Sequence, residues 1–112
     1  QAARLFLTAP LSYPATLGLL RQAWVTLTDS GGIQEEAACL KLPVLVLRET
    51  TERMELIDSG GGMLVGTAQA AIVSAVRRLQ DEPHTYQAMR AAPNPFGDGY
   101  AAGRIHAILF PE

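Results

Sequence analysis

Residues 27–37, LTDSGGIQEEA, bring a hydroxyl, two glycines and two carboxylates together where the pattern predicts the start of a helix. A helix start leaves backbone N–H groups without partners and carries about half a positive charge. Because Gly31 and Gly32 have no Cβ, an anion could approach these N–H groups closely, and Ser30 could add its hydroxyl. Residues 30–32 therefore predict a phosphate cradle. In the alternative interpretation, Asp29 or Ser30 only caps the helix and the glycines allow a tight turn.

Glu36 is the carboxylate that the helix would place beside this cradle. It follows Gly32 by four residues, so on a helix it lies one turn further along on the same side. A carboxylate in that place is well positioned to accept hydrogen bonds from sugar hydroxyls. Glu35 is rotated by about 100° and is expected to face solvent. The alternative for Glu36 is a simple complement to the helix dipole, worth a few tenths of a kcal/mol.

Arg53 is the second unusual residue. It falls near the beginning of a helix predicted after Thr50 and Thr51, where a cation meets the helix dipole with the unfavourable sign. Either the glutamates of the same loop or a bound anion would offset this. The loop leaves the end of the strand predicted at residues 43–47, next to the cradle in a sequentially built sheet. We therefore favour a ligand-binding role for Arg53.

The elements that must position these residues alternate along the chain. Strands are predicted at residues 5–8, 24–28, 43–47 and 63–65, and helices at 16–23, 33–40, 52–58, 67–81, 85–90 and 100–109. The continuous apolar run at 43–47 is typical of a strand with both faces covered. Repeated strand–helix units predict an α/β fold with a parallel sheet and helices on both faces. In such sheets ligands bind beyond the carboxyl ends of the strands.

Composition limits the class of protein. The chain has 112 residues, a formal charge of −2 and 48% apolar residues, which describes one small domain or part of one. We predict no membrane-spanning segment, no signal peptide and no basic patch for nucleic acid. The absence of an initial Met suggests that the chain begins partway through a longer protein. Cys39, the single cysteine, is expected to be buried in its helix, and a reducing, cytoplasmic location is predicted.

Three segments together have the order and spacing of a known family. LTDSGGIQEEA, LPVLVLRETTERME and NPFGDG resemble the C-terminal part of the non-hydrolysing bacterial UDP-N-acetylglucosamine 2-epimerases, over about residues 5–108. The resemblance implies a GT-B-type arrangement of two Rossmann-like domains, of which residues 1–112 are a partial C-terminal, UDP-binding domain. It also implies interconversion of UDP-N-acetylglucosamine and UDP-N-acetylmannosamine by elimination and re-addition of UDP. No metal or other cofactor is expected.

The resemblance assigns roles residue by residue. It places Ser30, Gly31 and Gly32 on the UDP phosphates, Glu36 on the ribose hydroxyls and Arg53 on the UDP moiety. Because UDP is the leaving group, stabilising its developing charge would itself be catalysis.

Three positions depart from the family pattern. Thr16 stands where an aromatic residue usually packs against uracil, Met54 replaces a common proline, and Phe96 replaces a common tyrosine. The family's acid/base carboxylates and essential histidine precede this region, so we predict no catalytic residue in this chain and no activity from it alone. His84 and His106 are expected at the surface.

The resemblance also implies missing partners. An N-terminal domain would complete the site, and the complete protein is expected to form a homodimer. In a Rossmann sheet ordered 3-2-1-4-5-6, residues 25–28 would form the fourth strand, and its partner would lie upstream of Gln1. We therefore predict an open edge at this strand. Two other readings remain: the donor half of a UDP-sugar glycosyltransferase, and a non-catalytic module that binds a nucleotide sugar, for which Thr16 is the best support.

Overall fold

The computed structural model describes residues 5–96. Helices and strands alternate in the order α1 (Tyr13–Gln22), β1 (Thr26–Thr28), α2 (Gly31–Cys39), β2 (Val44–Val46), α3 (Met54–Ser59), β3 (Gly62–Leu64), α4 (Gln69–Asp81) and α5 (Pro83–Ala91). The three strands form one parallel sheet in the order β1-β2-β3. The predicted α/β fold with a parallel sheet is therefore confirmed. The helix predicted at 100–109, and with it His106, lies outside the described residues.

The central strand β2 is buried along its whole length, as its apolar run predicts. Its side chains alternate between two cores because successive residues of a strand point to opposite faces. Val44 and Val46 pack on the side of α1, α2 and α3, in a cluster with Leu20, Ala37, Ala38, Leu42 and Leu56. Leu45 packs on the side of α4 and α5, in a cluster with Ala75, Leu79, Tyr86 and Met89. Helices thus cover both faces of the sheet.

The strand predicted at residues 5–8 is wrong. These residues pair with no strand in the described part of the chain, and Leu5, Phe6 and Leu7 are 66%, 82% and 89% exposed. A short apolar run suits a strand only when a neighbouring strand supplies hydrogen bonds and a core supplies burial, and residues 5–96 supply neither to this run. By contrast, β1 lies at an edge of the sheet, as predicted, and β2 is its only strand partner among the described residues.

Local signals shift the predicted helix ends by a few residues. α1 begins at Tyr13 because the Ser12 hydroxyl accepts a hydrogen bond from the Ala15 N–H at 3.4 Å.

In α4 the stripe facing the sheet includes the small residue Ala75, whereas Val73 is 39% exposed. Of the helices in this part of the chain, none is long and apolar enough to cross a bilayer.

Candidate functional site

Parallel strands end at one edge of the sheet, and the loops that follow β1 and β2 meet there. In the first loop, the Ser30 N–H donates to the Thr28 Oγ1 at 3.0 Å, which holds the chain extended before α2 begins. Ser30 then caps α2, because its Oγ accepts from the Ile33 N–H at 3.3 Å. Ser30, and not Asp29, is therefore the cap. Capping uses a lone pair of the hydroxyl, so its O–H remains a donor for a ligand.

The two glycines have different surroundings. Neither has a positive φ, so the backbone conformation itself does not require glycine at either position. A Cβ on Gly31 would occupy the space taken by the Arg53 guanidinium, whereas the described atom nearest to a Cβ on Gly32 would be the Ser30 Oγ at 3.8 Å. Gly31 thus leaves room for an arginine, and Gly32 leaves an open approach to the helix N-terminus.

Arg53 comes to this point from the loop after β2. It is the N-cap residue of α3 and makes no side-chain cap there. Its guanidinium lies against Gly31, and its Nε donates to Glu35 Oε1 at 3.3 Å. The prediction that Arg53 lies next to residues 30–32 is therefore confirmed. The anion that offsets Arg53 in this structure is Glu35 of α2, not a glutamate of its own loop.

The helical phase predicts that Glu35 only faces solvent. The structure shows that its carboxylate also pairs with Arg53. Its side chain is 49% exposed and that of Arg53 is 32% exposed. A partly exposed ion pair of this kind contributes at most about 1 kcal/mol to stability. A phosphate, which carries a larger charge, could therefore displace Glu35 from Arg53 with only a small loss of folding stability.

Glu36 lies in α2 one turn beyond Gly32, as predicted, and it has a partner that the sequence pattern does not indicate. The Tyr13 hydroxyl donates to Glu36 Oε1 at 2.7 Å. This hydrogen bond is the main cause of a raised pKa of the Tyr13 phenol, with smaller contributions from lost hydration and from the charge of Glu36. One carboxylate oxygen of Glu36 is thereby oriented, and among the described residues the other has no hydrogen-bond partner.

The surface beside Glu36 is an open hollow of about 310 Å³ lined by Glu35, Glu36, Cys39 and Phe96. Cys39 is exposed there, so its predicted burial is wrong. The buried face of α2 consists instead of Gln34, Ala37 and Ala38, and Cys39 falls outside that stripe. Of the two histidines, His84 is 82% exposed, which confirms its predicted place at the surface.

Gln34 and Thr51 are the functional candidates that sequence reasoning misses. Gln34 is only 1% exposed, and its Oε1 accepts a hydrogen bond from the Thr51 hydroxyl at 3.3 Å. A glutamine followed by two glutamates resembles a solvated helix face. The one available signal is spacing, because Gln34 shares a helix face with Ala37 and Ala38.

Comparison with known proteins gives a consistent result. The profile of the family described as UDP-N-acetylglucosamine 2-epimerase matches residues 1–110. The chain is 51% identical over 100 residues to the UDP-N-acetylglucosamine 2-epimerase of Escherichia coli K12, covering 89% of this chain and 27% of that protein. It is 52% identical over 105 residues to the enzyme of Yersinia pestis, covering 94% and 28%.

Solved structures agree with the sequence comparison. A crystal structure of a UDP-N-acetylglucosamine 2-epimerase from Listeria monocytogenes superimposes with a TM-score of 0.92 and 42% identity, covering 95% of this chain and 28% of that one. The Neisseria meningitidis epimerase bound to UDP-GlcNAc gives a TM-score of 0.89 and 39% identity, covering 94% and 29%.

The chain thus spans little more than a quarter of the length of the relatives it matches. The matched part has the parallel sheet and flanking helices described above, and it includes every residue of the candidate site. The match extends through both the glycine turn and the loop that carries Arg53. The chain belongs to the UDP-N-acetylglucosamine 2-epimerase family.

Proposed function

We propose that this chain is the UDP-binding part of a UDP-N-acetylglucosamine 2-epimerase. In this proposal, Ser30, Gly31 and Gly32 bind the UDP phosphates, Glu36 binds the ribose and Arg53 holds the diphosphate. The observation that carries it is the position of the Arg53 guanidinium against Gly31, at the N-terminus of α2. A diphosphate needs both directed N–H donors and positive charge, and two separate loops bring these to one point.

Each residue has a separate task in this proposal. The N–H groups at the start of α2 and the Ser30 hydroxyl donate to phosphate oxygens, and Arg53 adds a full positive charge. Glu36 accepts from ribose hydroxyls through the oxygen that Tyr13 leaves free. In the complete enzyme the contacts of residues 30–32 and Arg53 to the phosphates would strengthen as the sugar–phosphate C–O bond breaks and charge develops on UDP. They would therefore lower the barrier to elimination and to re-addition.

The rest of the activity belongs to a longer protein. We propose that an N-terminal domain supplies the acid/base residues for interconversion of UDP-N-acetylglucosamine and UDP-N-acetylmannosamine. The complete enzyme would act in the cytoplasm as a homodimer, and residues 1–112 would form a partial C-terminal domain without activity of its own. Support comes from the match to about a quarter of the length of full epimerases.

Calorimetric titration of UDP into the 112-residue chain tests the assignment, once circular dichroism shows that the chain is folded. We expect saturable binding that Arg53→Ala weakens by about tenfold or more, because a charge-assisted contact to phosphate is lost. Glu36→Ala should weaken binding less, since it removes contacts to neutral hydroxyls.

Arg77→Ala is the matched control, because Arg77 lies exposed on α4, on the opposite side of the sheet, and carries the same charge. Equal losses from Arg53→Ala and Arg77→Ala would mean that only overall charge matters. A folded chain that does not bind UDP would refute the proposal that this chain is the UDP-binding part.

A further inference from the structure

Gln34 is a buried polar side chain that the proposed UDP contacts do not use. Burying an amide is costly unless its polar atoms are hydrogen-bonded. The Gln34 Oε1 accepts from the Thr51 hydroxyl at 3.3 Å, across the gap between α2 and the loop after β2. This contact joins the two loops that meet at the candidate site.

The direction of the hydrogen bonds follows from the groups involved. A hydroxyl has one hydrogen to donate, and Thr51 donates it to Gln34. The lone pairs of Thr51 Oγ1 are then free to accept, and the Arg53 N–H donates to this oxygen at 3.1 Å. Gln34, Thr51 and the backbone of Arg53 therefore form one ordered chain of hydrogen bonds.

These linked hydrogen bonds fix the backbone position from which the Arg53 side chain extends. Arg53 is the N-cap of α3 with no side-chain cap of its own, so Thr51 supplies its local hydrogen bond. From there the guanidinium lies against Gly31 and the Nε donates to Glu35. Two adjacent residues of α2 thus hold the loop after β2. Gln34 contacts Thr51 in the partly buried interior, and Glu35 pairs with Arg53 at the surface.

We infer that Gln34 and Thr51 are positioning residues that hold Arg53 over the N-terminus of α2 before a ligand arrives. Neither touches the ligand; both act through Arg53. An arginine that is already ordered loses less conformational freedom on binding, which improves affinity. We call Gln34 and Thr51 the relay. Its importance for ligand binding rests on the proposed role of Arg53 in binding UDP.

The test uses Thr51, because replacing the buried Gln34 could disturb the core. Thr51→Val keeps the shape and removes the hydroxyl, whereas Thr51→Ser keeps the hydroxyl. Both are made in the wild-type chain and with Arg53→Ala, and UDP affinity is measured by titration. In the wild-type background we expect Thr51→Val to weaken UDP binding by about three- to tenfold and Thr51→Ser by less than about twofold.

The double variant separates positioning from general stability. If Thr51 acts through Arg53, Thr51→Val should cause no further loss when Arg53 is already alanine. Equal losses in both backgrounds would overturn the inference, because they would show an effect that does not pass through Arg53. Thermal melts of all variants confirm that each is folded at the temperature of titration.

A second readout does not depend on UDP. The Arg53 Nε–H signal in nitrogen-resolved NMR is identified by its disappearance in Arg53→Ala. We expect a sharp signal in the wild type and in Thr51→Ser, and a broadened or shifted signal in Thr51→Val. If UDP does not bind, the proposed function fails and this signal decides the relay alone. If UDP binding depends on Arg53 but Thr51→Val matches Thr51→Ser in both readouts, the relay fails and the proposed function stands.

Discussion

The two faces of β2 support different parts of the molecule. On the face of Val44 and Val46, the helices α1, α2 and α3 pack closely, and their ends or flanking loops carry the candidate site. On the face of Leu45, the helices α4 and α5 form a core that includes Tyr86, whose ring stacks on that of the more exposed Trp24 with ring centroids 4.9 Å apart.

The kinds of contact also differ between the faces. The first face adds a set of polar contacts between elements, from Tyr13 to Glu36, from Thr51 to Gln34 and from Arg53 to Glu35. The second depends mainly on apolar burial, with the Tyr86 hydroxyl donating to the Trp24 carbonyl. Substitutions of these polar residues on the first face should therefore change binding more than stability, and substitutions in the apolar core of the second face should do the reverse.

Leu79→Ala should have the largest effect on stability. Leu79 is 1% exposed in the core below Leu45, and removing a buried leucine side chain typically costs about 2–5 kcal/mol of unfolding free energy. Val73→Ala on the same helix is the control, because Val73 is 39% exposed and should change the unfolding free energy by less than about 0.5 kcal/mol. Denaturant unfolding measures both. Similar values for the two variants would contradict the assignment of α4 to this core.

Gly31→Ala sharpens the comparison at the site. The new Cβ must displace the Arg53 guanidinium, while alanine in a helix is favoured over glycine by up to about 1 kcal/mol. We therefore expect little or no loss of stability, a changed Arg53 Nε–H signal and UDP binding weakened by roughly tenfold. Gly32→Ala is the matched variant. Because a Cβ at this position has room, we expect the Arg53 signal to stay unchanged. An unchanged signal in Gly31→Ala would contradict the contact.

Tyr13→Phe should have the smallest effect. It removes the hydrogen bond to an exposed carboxylate, so stability should hardly change and UDP affinity should fall only about two- to threefold, as Glu36 becomes less well oriented. A loss as large as that from Glu36→Ala would mean that Tyr13 itself contacts the nucleotide.

The same tyrosine gives a test with pH. The hydrogen bond to Glu36 raises the pKa of Tyr13 above its ordinary value near 10. A raised pKa in the folded state means that the contact is fully present below the ordinary value and is lost as pH rises through the raised value. Tyrosinate absorbance during an alkaline titration, compared between the wild type and Tyr13→Phe, isolates this group. Ionisation of Tyr13 at or below its ordinary pKa would contradict the hydrogen bond.

Local sequence pattern was sufficient for much of the fold and for the outline of the site. The buried strand β2 follows from a continuous apolar run, and the start of α2 follows from Ser30 and the glycines. Arg53 could be singled out because a cation at a helix start is unfavourable unless an anion is near. These signals depend on periodicity, caps and charges within a few residues, so they can be read without knowing what packs nearby.

Long-range packing decided the remainder. The bonds from Thr51 to Gln34, from Arg53 to Glu35 and from Tyr13 to Glu36 join residues 17, 18 and 23 positions apart. Their partners are set by how the sheet places α1, α2 and the loop after β2. The two wrong predictions, a strand at residues 5–8 and a buried Cys39, have the same cause. Whether an apolar run pairs or a small side chain is buried depends on neighbours that the local pattern does not specify.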